Sequence, residues 1–268
     1  MSIADQSHAR KNPLTGEWVL VSPHRLQRPW QGQVEAIEDE GLLKYDPDCY
    51  LCPGNSRANG NANPNYTGSF SFENDFPALS AASDVGEQKS PFFESRSEVG
   101  ICRVICYTER HDLRLATMNA EQLQVAITAM IDQFSELDKH PDVGYVQLFE
   151  NRGPMMGCSN PHPHAQVWAT SNVPTEPAKE LRTQLAYFQE HGSSLLLDYL
   201  DAELADGGRI VAGNEHFVAL VPYWAVWPFE TMLMPRRAVA APDELDGPEV
   251  EGLAEACLLY TSPSPRDL

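Results

Sequence analysis

The sequence is short of basic residues and has no long apolar run. Lysine and arginine number 19 against 38 aspartates and glutamates, so the formal charge is −19 at pH 7. Because nucleic-acid binding needs a net basic face, this imbalance argues against DNA or RNA as a partner. No apolar stretch approaches the roughly 20 residues of a membrane span, and residues 1–18 lack the apolar core of a signal peptide. We therefore expect a soluble, cytoplasmic protein that binds neither nucleic acid nor membrane.

Six cysteines are present, but without an export signal a disulfide framework is not expected. Cys49 and Cys52 form a C-x-x-C pair, a spacing that lets two thiolates reach one tetrahedral ion from a tight turn. The alternative is a redox pair, which normally opens a helix. Because Pro53-Gly54-Asn55 follows at once and breaks any helix, we favour the metal interpretation.

The clearest secondary-structure signal is a helix that begins after Asn119, with Gln122 three residues later as in a capping box. Apolar side chains recur along it every three or four residues, at Leu123, Ile127, Met130, Phe134 and Leu137. Strands are predicted at residues 16–22, 72–79, 99–107, 144–151 and 161–169, and further helices at 175–189 and over SLLLDYLDAEL.

Two stretches of the chain resemble each other. The first runs from ENDFPAL to VICYTERHDLRLATMNAEQL, and the second from NEHFVAL through VPYWAVWPFETMLMP to PDEL. Each contains a predicted strand with a Phe-x-Ala-Leu core, a second strand, a polar turn and a helix start. We interpret this pattern as an internal duplication whose second copy is incomplete.

The last residues of the sequence are unusual. LLYTSPSPRDL combines prolines and serines that continue neither a helix nor a strand. One interpretation is a disordered terminus. The other, which we favour, is that the natural chain was cut near residue 257 and that residues 258–268 are a non-native tail.

The segment FENRGPMMGCSNPHPHAQVWA, at residues 149–169, carries the chemistry. In an extended chain alternate side chains share a face, so His162, His164 and Gln166 are predicted to point the same way. The small residues before them offer backbone N–H groups that could hold phosphate oxygens. Either both histidines bind metal, or one binds metal while the other reacts, or both are ordinary surface residues; the convergence of so many polar groups disfavours the last interpretation.

With these motifs in order, the chain resembles the galactose-1-phosphate uridylyltransferase family, the transferase branch of the histidine-triad superfamily. The resemblance extends over NPLTGEWVLVSPHR, DPDCYLCPGN, FENDFPAL, RVICY and VPYWAVWPFETMLMP. It implies an α+β fold, a histidine-triad-like duplicated half-barrel of antiparallel sheet with packed helices, here with the second repeat incomplete. We therefore expect a first repeat with the metal site and nucleophile at 1–172, and a helical link with the first part of the second repeat at 173–257.

The resemblance implies transfer of UMP from UDP-glucose to galactose 1-phosphate, which releases glucose 1-phosphate and forms UDP-galactose in the Leloir route of galactose metabolism. His164 matches the nucleophile, and Gln166 stands where hydrolases of the superfamily carry a third histidine. The implied zinc ligands are Cys49, Cys52, His111 and His162. Glu180 matches one ligand of a second, iron-type site, whose other ligands would be histidines from a C-terminal part missing here, so we expect that site to be empty or incomplete.

The family match also implies a substrate pocket. Arg25 and Arg28 would pair with the diphosphate, and Asn74 and Asp75 would hold the uridine. The phosphates would be lined by Asn151, Gly157, Cys158, Ser159 and Gln166. Family members are homodimers that complete each active site with the partner's C-terminal region. Two alternatives remain open: a different histidine-triad enzyme, such as a nucleotide hydrolase or dinucleotide phosphorylase, or a zinc-stabilised nucleotide-binding fragment without turnover.

Overall fold

A computed structural model gives the fold of residues 6–27, 29, 43–83, 86, 88–153, 156–158 and 160–261. The chain divides into two compact units. The first unit comprises Met1–Gly41 with Thr175–Ala238, and the second unit comprises Leu42–Pro174 with Val239–Leu268. The repeats expected from the internal duplication, which meet at residue 172, are defined by similarity of sequence, whereas these two units are defined by compactness. The expected boundary therefore stays a prediction. Within the described part of the chain, no helix is both long and apolar enough to cross a lipid bilayer.

The strands, in chain order, are β1 (His8–Lys11), β2 (Trp18–Val21), β3 (Phe70–Glu73), β4 (Gly100–Cys106), β5 (Tyr145–Phe149), β6 (His164–Thr170), β7 (Ile210–Gly213), β8 (Phe217–Leu220) and β9 (Met232–Pro235). The helices are α1 (Ala120–Asp138), α2 (Thr175–His191), α3 (Leu195–Asp206) and α4 (Gly247–Thr261). Mixed helices and antiparallel strands confirm the predicted α+β class.

A four-stranded antiparallel sheet of order β3-β4-β6-β5 forms the centre of the second unit. In β6 the buried residues alternate with half-buried ones, as expected for a strand with one face on the apolar core and the other face directed away from it. The buried side chains Ala165, Val167 and Ala169 pack into the main apolar core with α1. His164 and Gln166 therefore lie on the opposite face of the sheet, away from that core.

Helix α1 follows the predicted pattern closely. Asn119 Oδ1 accepts a hydrogen bond from Gln122 N (2.9 Å), and Gln122 Oε1 accepts one from Asn119 N (3.0 Å), which forms the predicted capping box. Leu123, Ile127 and Leu137 are buried against the sheet, and Met130 and Phe134 pack beside them. Helix α4 packs on α1 in the same core, through Val250, Leu253 and Ala254.

Two strand predictions differ from the structure. Strand β6 begins at His164 rather than at Pro161, because Pro161 and Pro163 have no N–H group for a ladder. Of the two Phe-x-Ala-Leu segments, 217–220 is a strand as predicted, whereas 76–79 lies in a turn beyond β3. Pro77 again explains the difference, together with the Asn74 side chain, whose Oδ1 accepts from Phe76 N (3.0 Å).

The first unit contains the β1-β2 hairpin, a three-stranded sheet β7-β8-β9, and the helices α2 and α3. Its apolar core includes Leu14, Leu195 and Trp224. The order of elements recurs along the chain, since β3 and β4 are followed by a 3₁₀ turn and α1, and β8 and β9 by a 3₁₀ turn and α4. Helix α4 continues to residue 261, and residues 262–268 of the predicted tail lie outside the described part.

We predict that Leu123→Ala lowers the free energy of unfolding by about 3 kcal/mol, because it opens a cavity beneath the central sheet. Leu123 is 1% exposed in the core that α1 shares with β4 and β6. Val125→Ala is the matched control on the same helix, since Val125 is 43% exposed, and it should change stability by less than about 0.5 kcal/mol. Urea denaturation measures both; equal losses would contradict the assigned packing of α1.

Candidate metal centre and active site

Four side chains that can bind a metal ion meet in the second unit. The ligand atoms of Cys49, Cys52, His111 and His162 lie within 4.8 Å of one another, and all four residues are buried. Cys52 Sγ lies 3.6 Å from His111 Nδ1 and 3.5 Å from His162 Nδ1. In a tetrahedral site with metal–sulfur bonds of about 2.3 Å and metal–nitrogen bonds of about 2.0 Å, the sulfur and nitrogen atoms are about 3.5 Å apart. The donors and their spacing therefore fit a tetrahedral metal ion.

A tight turn holds the two thiols. Cys52 N donates to Cys49 O (3.2 Å), and Asn55 Nδ2 donates to the same carbonyl (2.8 Å). Gly54 follows with φ +75°, and a Cβ atom at this position would lie 2.6 Å from Asn65 Oδ1, which favours glycine here. The chain then continues without a helix, and all six cysteines are free thiols. A thiol pair that faces two imidazoles and opens no helix favours the metal interpretation over the redox one.

Hydrogen bonds behind the His162 ring fix its tautomer. Nε2 lies 3.0 Å from Thr108 O and 3.2 Å from the Tyr66 hydroxyl. That hydroxyl donates to Leu51 O (2.7 Å), so towards His162 it acts as an acceptor. Nε2 therefore carries the proton, and Nδ1, which faces Cys52, keeps the lone pair that a metal needs.

The surroundings also set the protonation of the ligand groups. Burial lowers the pKa of His162 to about 4 and lowers the pKa of His111 as well, so both imidazoles are neutral at pH 7. His111 Nε2 faces Asp46 Oδ2 at 3.9 Å, which is beyond hydrogen-bond distance. Burial raises the pKa of the Cys52 thiol to about 11. Binding of a metal would therefore release protons from the thiols.

His164 is the first residue of β6, where it pairs with Cys106 of β4. Its Nδ1 lies 2.7 Å from His162 O, a carbonyl that can only accept, so Nδ1 carries the proton. The lone pair is then on Nε2. Burial lowers the pKa of His164, which favours the neutral ring. A neutral imidazole with a defined tautomer is suited to act as a nucleophile near pH 7.

Gln166 lies two residues further along β6, on the same face of the sheet as His164. Its Oε1 accepts a hydrogen bond from Trp168 Nε1 (3.4 Å). Because the oxygen is held in this way, the NH₂ group is the part of the amide that can donate to a ligand. The ring of Trp168 also contacts Phe149 of β5 edge-on, with centroids 5.4 Å apart, which orders this side of the site.

Asn74 and Asp75 lie in the turn after β3. Asn74 N donates to Cys102 O (2.9 Å), which extends the pairing of the sheet by one bond. Asp75 Oδ1 accepts from Asn59 Nδ2 (2.6 Å), and Arg57 Nε lies 3.7 Å from the same oxygen. The predicted uridine contacts therefore belong to a network with the loop that follows the cysteine pair.

The small residues before the histidines form a turn. Gly157 has φ +77°, in the left-handed region that favours glycine. Cys158 N donates to Gly153 O (3.2 Å), so this N–H group is already used within the turn rather than directed at a ligand. Asn151 is half-buried, two residues after the end of β5. Ser159 lies outside the described residues.

The remaining predicted site residues belong to the first unit. Arg25 is exposed in a 3₁₀ turn, Pro23–Gln27, and Arg28 lies outside the described residues. Glu180 is half-buried on α2, where burial raises its pKa and the negative charge of Glu176 adds to the effect. A carboxyl group in such surroundings is the kind that a cation would stabilise.

Sequence reasoning missed several residues of the second unit that contact the site. Tyr66 and Thr108 orient His162, Arg57 faces Asp75, and Asn160 contacts both Cys49 and His162. Asn160 alone had a signal in the sequence, since it directly precedes the His-Pro-His segment. The others lie far from the histidines along the chain, and only the folded structure brings them close.

Two family models match nearly the whole chain. The N-terminal domain of galactose-1-phosphate uridyl transferase matches residues 1–174, and the C-terminal domain of the same enzyme matches residues 180–261. The chain belongs to the galactose-1-phosphate uridyl transferase family. This confirms the family identified from the histidine segment and its companion motifs.

Relatives named galactose-1-phosphate uridylyltransferase share much of the sequence. The protein of Haemophilus influenzae is 47% identical over 251 residues, which cover 93% of this chain and 71% of that protein. The protein of Rattus norvegicus is 46% identical over 253 residues, which cover 94% of this chain and 66% of that protein. The chain thus spans about two thirds of the length of these members of the family.

Solved structures agree with the family assignment. A uridylyltransferase structure has a TM-score of 0.67 and 28% identity, and the match covers 93% of this chain and 72% of that one. An ADP-glucose phosphorylase from Arabidopsis thaliana with bound ADP-glucose has a TM-score of 0.71 at 23% identity, with 96% and 76% covered. The second likeness shows the fold alone, and the fold is therefore shared by proteins with different names.

We predict that acid destabilises the metal-free protein through His162. Its pKa of about 4 in the folded state lies below the ordinary 6.5, so below pH 6.5 the unfolded chain binds a proton that the folded chain excludes. Between pH 7.0 and 5.5 this difference should lower the free energy of unfolding by about 1 kcal/mol. Urea denaturation after removal of metal measures it.

His162→Asn should reduce this pH dependence, because the group that excludes the proton is gone. The control is His140→Asn, which removes an exposed histidine after α1 that lies outside the metal cluster. The same slope in His162→Asn as in the unaltered chain would contradict the assignment.

Proposed function

We propose that this protein transfers UMP from UDP-glucose to galactose 1-phosphate through a uridylyl-histidine intermediate on His164. The observation that carries the proposal is the bond from His164 Nδ1 to His162 O (2.7 Å), which places the lone pair on Nε2. The chain also belongs to a family whose related members are named galactose-1-phosphate uridylyltransferase. The implied place of the protein is galactose metabolism.

The proposed reaction has two balanced steps. In the first, His164 Nε2 attacks the α-phosphorus of UDP-glucose; the P–N bond forms, and the bond from this phosphorus to the bridging oxygen breaks and releases glucose 1-phosphate. In the second, a phosphate oxygen of galactose 1-phosphate attacks the same phosphorus and the P–N bond breaks, which yields UDP-galactose and restores the neutral ring. Imidazole suits both steps because it is a good nucleophile and, once attached, a good leaving group.

Gln166 is proposed to stabilise the phosphoryl oxygens. With Oε1 held by Trp168, its NH₂ group can donate to a negatively charged oxygen, but an amide supplies no proton to a leaving group. This property favours transfer to a second sugar phosphate over hydrolysis. The phosphates would also be lined by Asn151, Gly157, Cys158 and Ser159, with Cys158 contributing a group other than its backbone N–H, which Gly153 O accepts.

The substrate carries negative charge, whereas the protein has a net charge of −19. Local cations are therefore needed, and Arg25 and Arg28 are proposed to pair with the diphosphate. Asn74 and Asp75 are proposed to bind the uridine, with the Asp75 carboxylate accepting from ribose hydroxyls. The contacts of Asp75 with Asn59 and Arg57 support this role, because they hold the carboxylate in one orientation.

The metal proposed for the four-ligand cluster is zinc. Two thiolates and two neutral imidazoles are a donor set that zinc prefers, and four protein ligands make a closed, structural site. When bound, zinc would supply positional restraint between the turn that holds Cys49 and Cys52 and the segment that precedes His164. Glu180 is proposed as one ligand of a second metal site. A homodimer is likewise proposed from family membership.

A second candidate function is that of a phosphorylase or hydrolase acting on a sugar nucleotide. The observation that favours it is the likeness in fold to the ADP-glucose phosphorylase from Arabidopsis thaliana. A nucleotide-binding protein without turnover is the third possibility. All three would bind a nucleotide, and they differ in the fate of the nucleotidyl group.

We predict that His164→Ala abolishes the exchange of label between UDP-glucose and glucose 1-phosphate, a loss on the order of a thousandfold or more, because no other group can carry the uridylyl intermediate. The unaltered protein should instead retain acid-labile uridylyl label at position 164 and form UDP-galactose. His140→Ala, which alters an exposed histidine, is the control and should keep full exchange.

Each alternative gives a different result in this experiment. Free UMP as the only product would identify a hydrolase, and release of UDP in the presence of inorganic phosphate would identify a phosphorylase. Binding of UDP-glucose without label at position 164 would identify a protein without turnover. Each of these results would overturn the proposed transfer.

We predict that the purified protein contains about one zinc ion per chain, and that Cys52→Ser loses most of it because the site then lacks a thiolate. Elemental analysis measures the content, and thermal unfolding measures the accompanying loss of stability. Cys102→Ser is the control, since Cys102 is also buried but lies outside the cluster. Full zinc content and unchanged stability in Cys52→Ser would refute the assignment.

A further inference from the structure

Asn160 is a buried side chain between the metal cluster and the segment that leads to His164. It is 5% exposed. Its Oδ1 accepts from His162 N (2.8 Å), and its Nδ2 and Oδ1 each lie 3.5 Å from Cys49 Sγ. Because a metal-bound thiolate can only accept hydrogen bonds, the amide NH₂ group is the correct partner for the sulfur and the amide oxygen is the correct partner for the backbone.

The hydrogen bond from His162 N–H to Asn160 is important because the residues on both sides of His162 are prolines. Pro161 and Pro163 have no N–H group, so His162 N–H is the one backbone donor between Asn160 and His164. On its other side, the His162 carbonyl accepts from His164 Nδ1 (2.7 Å). Asn160 therefore holds His162 through the His162 N–H group, and His162 holds His164 through the His162 carbonyl.

We propose that Asn160 is a positioning residue that supports both the metal cluster, through Cys49, and the tautomer of His164, through the His162 backbone. The amide contacts Cys49 Sγ with its Nδ2 and binds His162 N–H with its Oδ1, so one side chain supports the cysteine turn and orients the His162 backbone. The carbonyl of His162 then keeps the proton on Nδ1 and the lone pair on Nε2. This inference rests on the proposed function of His164, because it specifies how the nucleophile is prepared.

A purely structural role for Asn160 is the alternative, and the chain offers a matched control for it. Asn63 is 4% exposed and donates from Nδ2 to Tyr50 O and Cys52 O, both at 3.0 Å. It supports the turn of the cysteine pair through the backbone, as Asn160 does through the sulfur. The hydrogen bonds of the Asn63 side chain reach that turn and not the segment 161–164. A variant of Asn63 therefore weakens the turn without a direct effect on His164.

The test compares Asn160→Leu, Asn160→Asp and Asn63→Leu in the zinc-loaded full chain. Leucine keeps the branching of asparagine at Cγ but offers neither donor nor acceptor, whereas aspartate keeps the acceptor for His162 N–H and loses the donor to Cys49. Nitrogen-15 spectra of histidine-labelled protein report which ring nitrogen of His164 carries the proton, and the signal is assigned by its absence in His164→Ala. Competition with a chelator measures zinc affinity, and labelling by UDP-glucose measures kcat and KM separately.

In Asn160→Leu we expect His164 to lose its single Nδ1–H tautomer, and we expect kcat to fall about 10-fold to 100-fold with little change in KM for UDP-glucose. Asn160→Asp should keep the tautomer but bind zinc about 10-fold to 100-fold more weakly, since a carboxylate repels the thiolate. Asn63→Leu should keep the tautomer of the unaltered chain. If Asn160→Leu does not fold, the aspartate variant still decides, because loss of the tautomer with the acceptor intact would overturn the proposal.

An unchanged tautomer in Asn160→Leu, or an equal change in Asn160→Leu and Asn63→Leu, would also overturn the proposal. The tautomer is read without substrate, so the outcome is independent of the proposed transfer. If the tautomer depends on Asn160 but UDP-glucose leaves no label, the positioning role stands and the transfer fails. If label forms at the normal rate in Asn160→Leu with its tautomer intact, the transfer stands and the positioning role fails.

Discussion

The hydrogen bond from His164 Nδ1 to the carbonyl of His162 links the two halves of the site. His162 contributes its side chain to the metal cluster and its backbone carbonyl to His164, the proposed nucleophile. Burial lowers the pKa of both rings, which favours their neutral forms. A metal ligand and a nucleophile both need a neutral imidazole with a lone pair on a chosen nitrogen, and here backbone carbonyls choose that nitrogen: Thr108 O for His162, and His162 O for His164.

The sheet explains why these groups can lie so close together without disturbing the core. Strand β6 sends Ala165, Val167 and Ala169 into the core beneath α1, and the alternating side chains of His164 and Gln166 into the site. The apolar half of the strand therefore stabilises the fold, and the polar half is available for chemistry. Pro161 and Pro163 delay the start of the strand until His164, which leaves His162 outside the ladder and able to turn towards the thiols.

The two cysteines reach the histidines because their turn is closed by side-chain amides rather than by regular structure. Asn55 and Asn63 bind the carbonyls of the turn, and Asn160 reaches its first sulfur. Asparagine suits these places because one side chain both donates and accepts. A metal ion at the centre would hold together three segments that are otherwise joined by loops, and His164 follows one of them by two residues.

Much of this protein was already determined by its sequence. The capping box and apolar stripe of α1, the alternation in β6 and the C-x-x-C pair are local patterns, and local patterns depend on neighbouring residues alone; the family followed from motifs in their order. The prolines that delay β6 until His164 and that turn the chain at Pro77 are local signals as well. Only the tertiary structure decided that Tyr66, Thr108 and Asn160 hold the histidines. These outcomes depend on hydrogen bonds between residues up to 111 positions apart, such as that of Asn160 with Cys49, and no short-range pattern in a single sequence encodes such contacts.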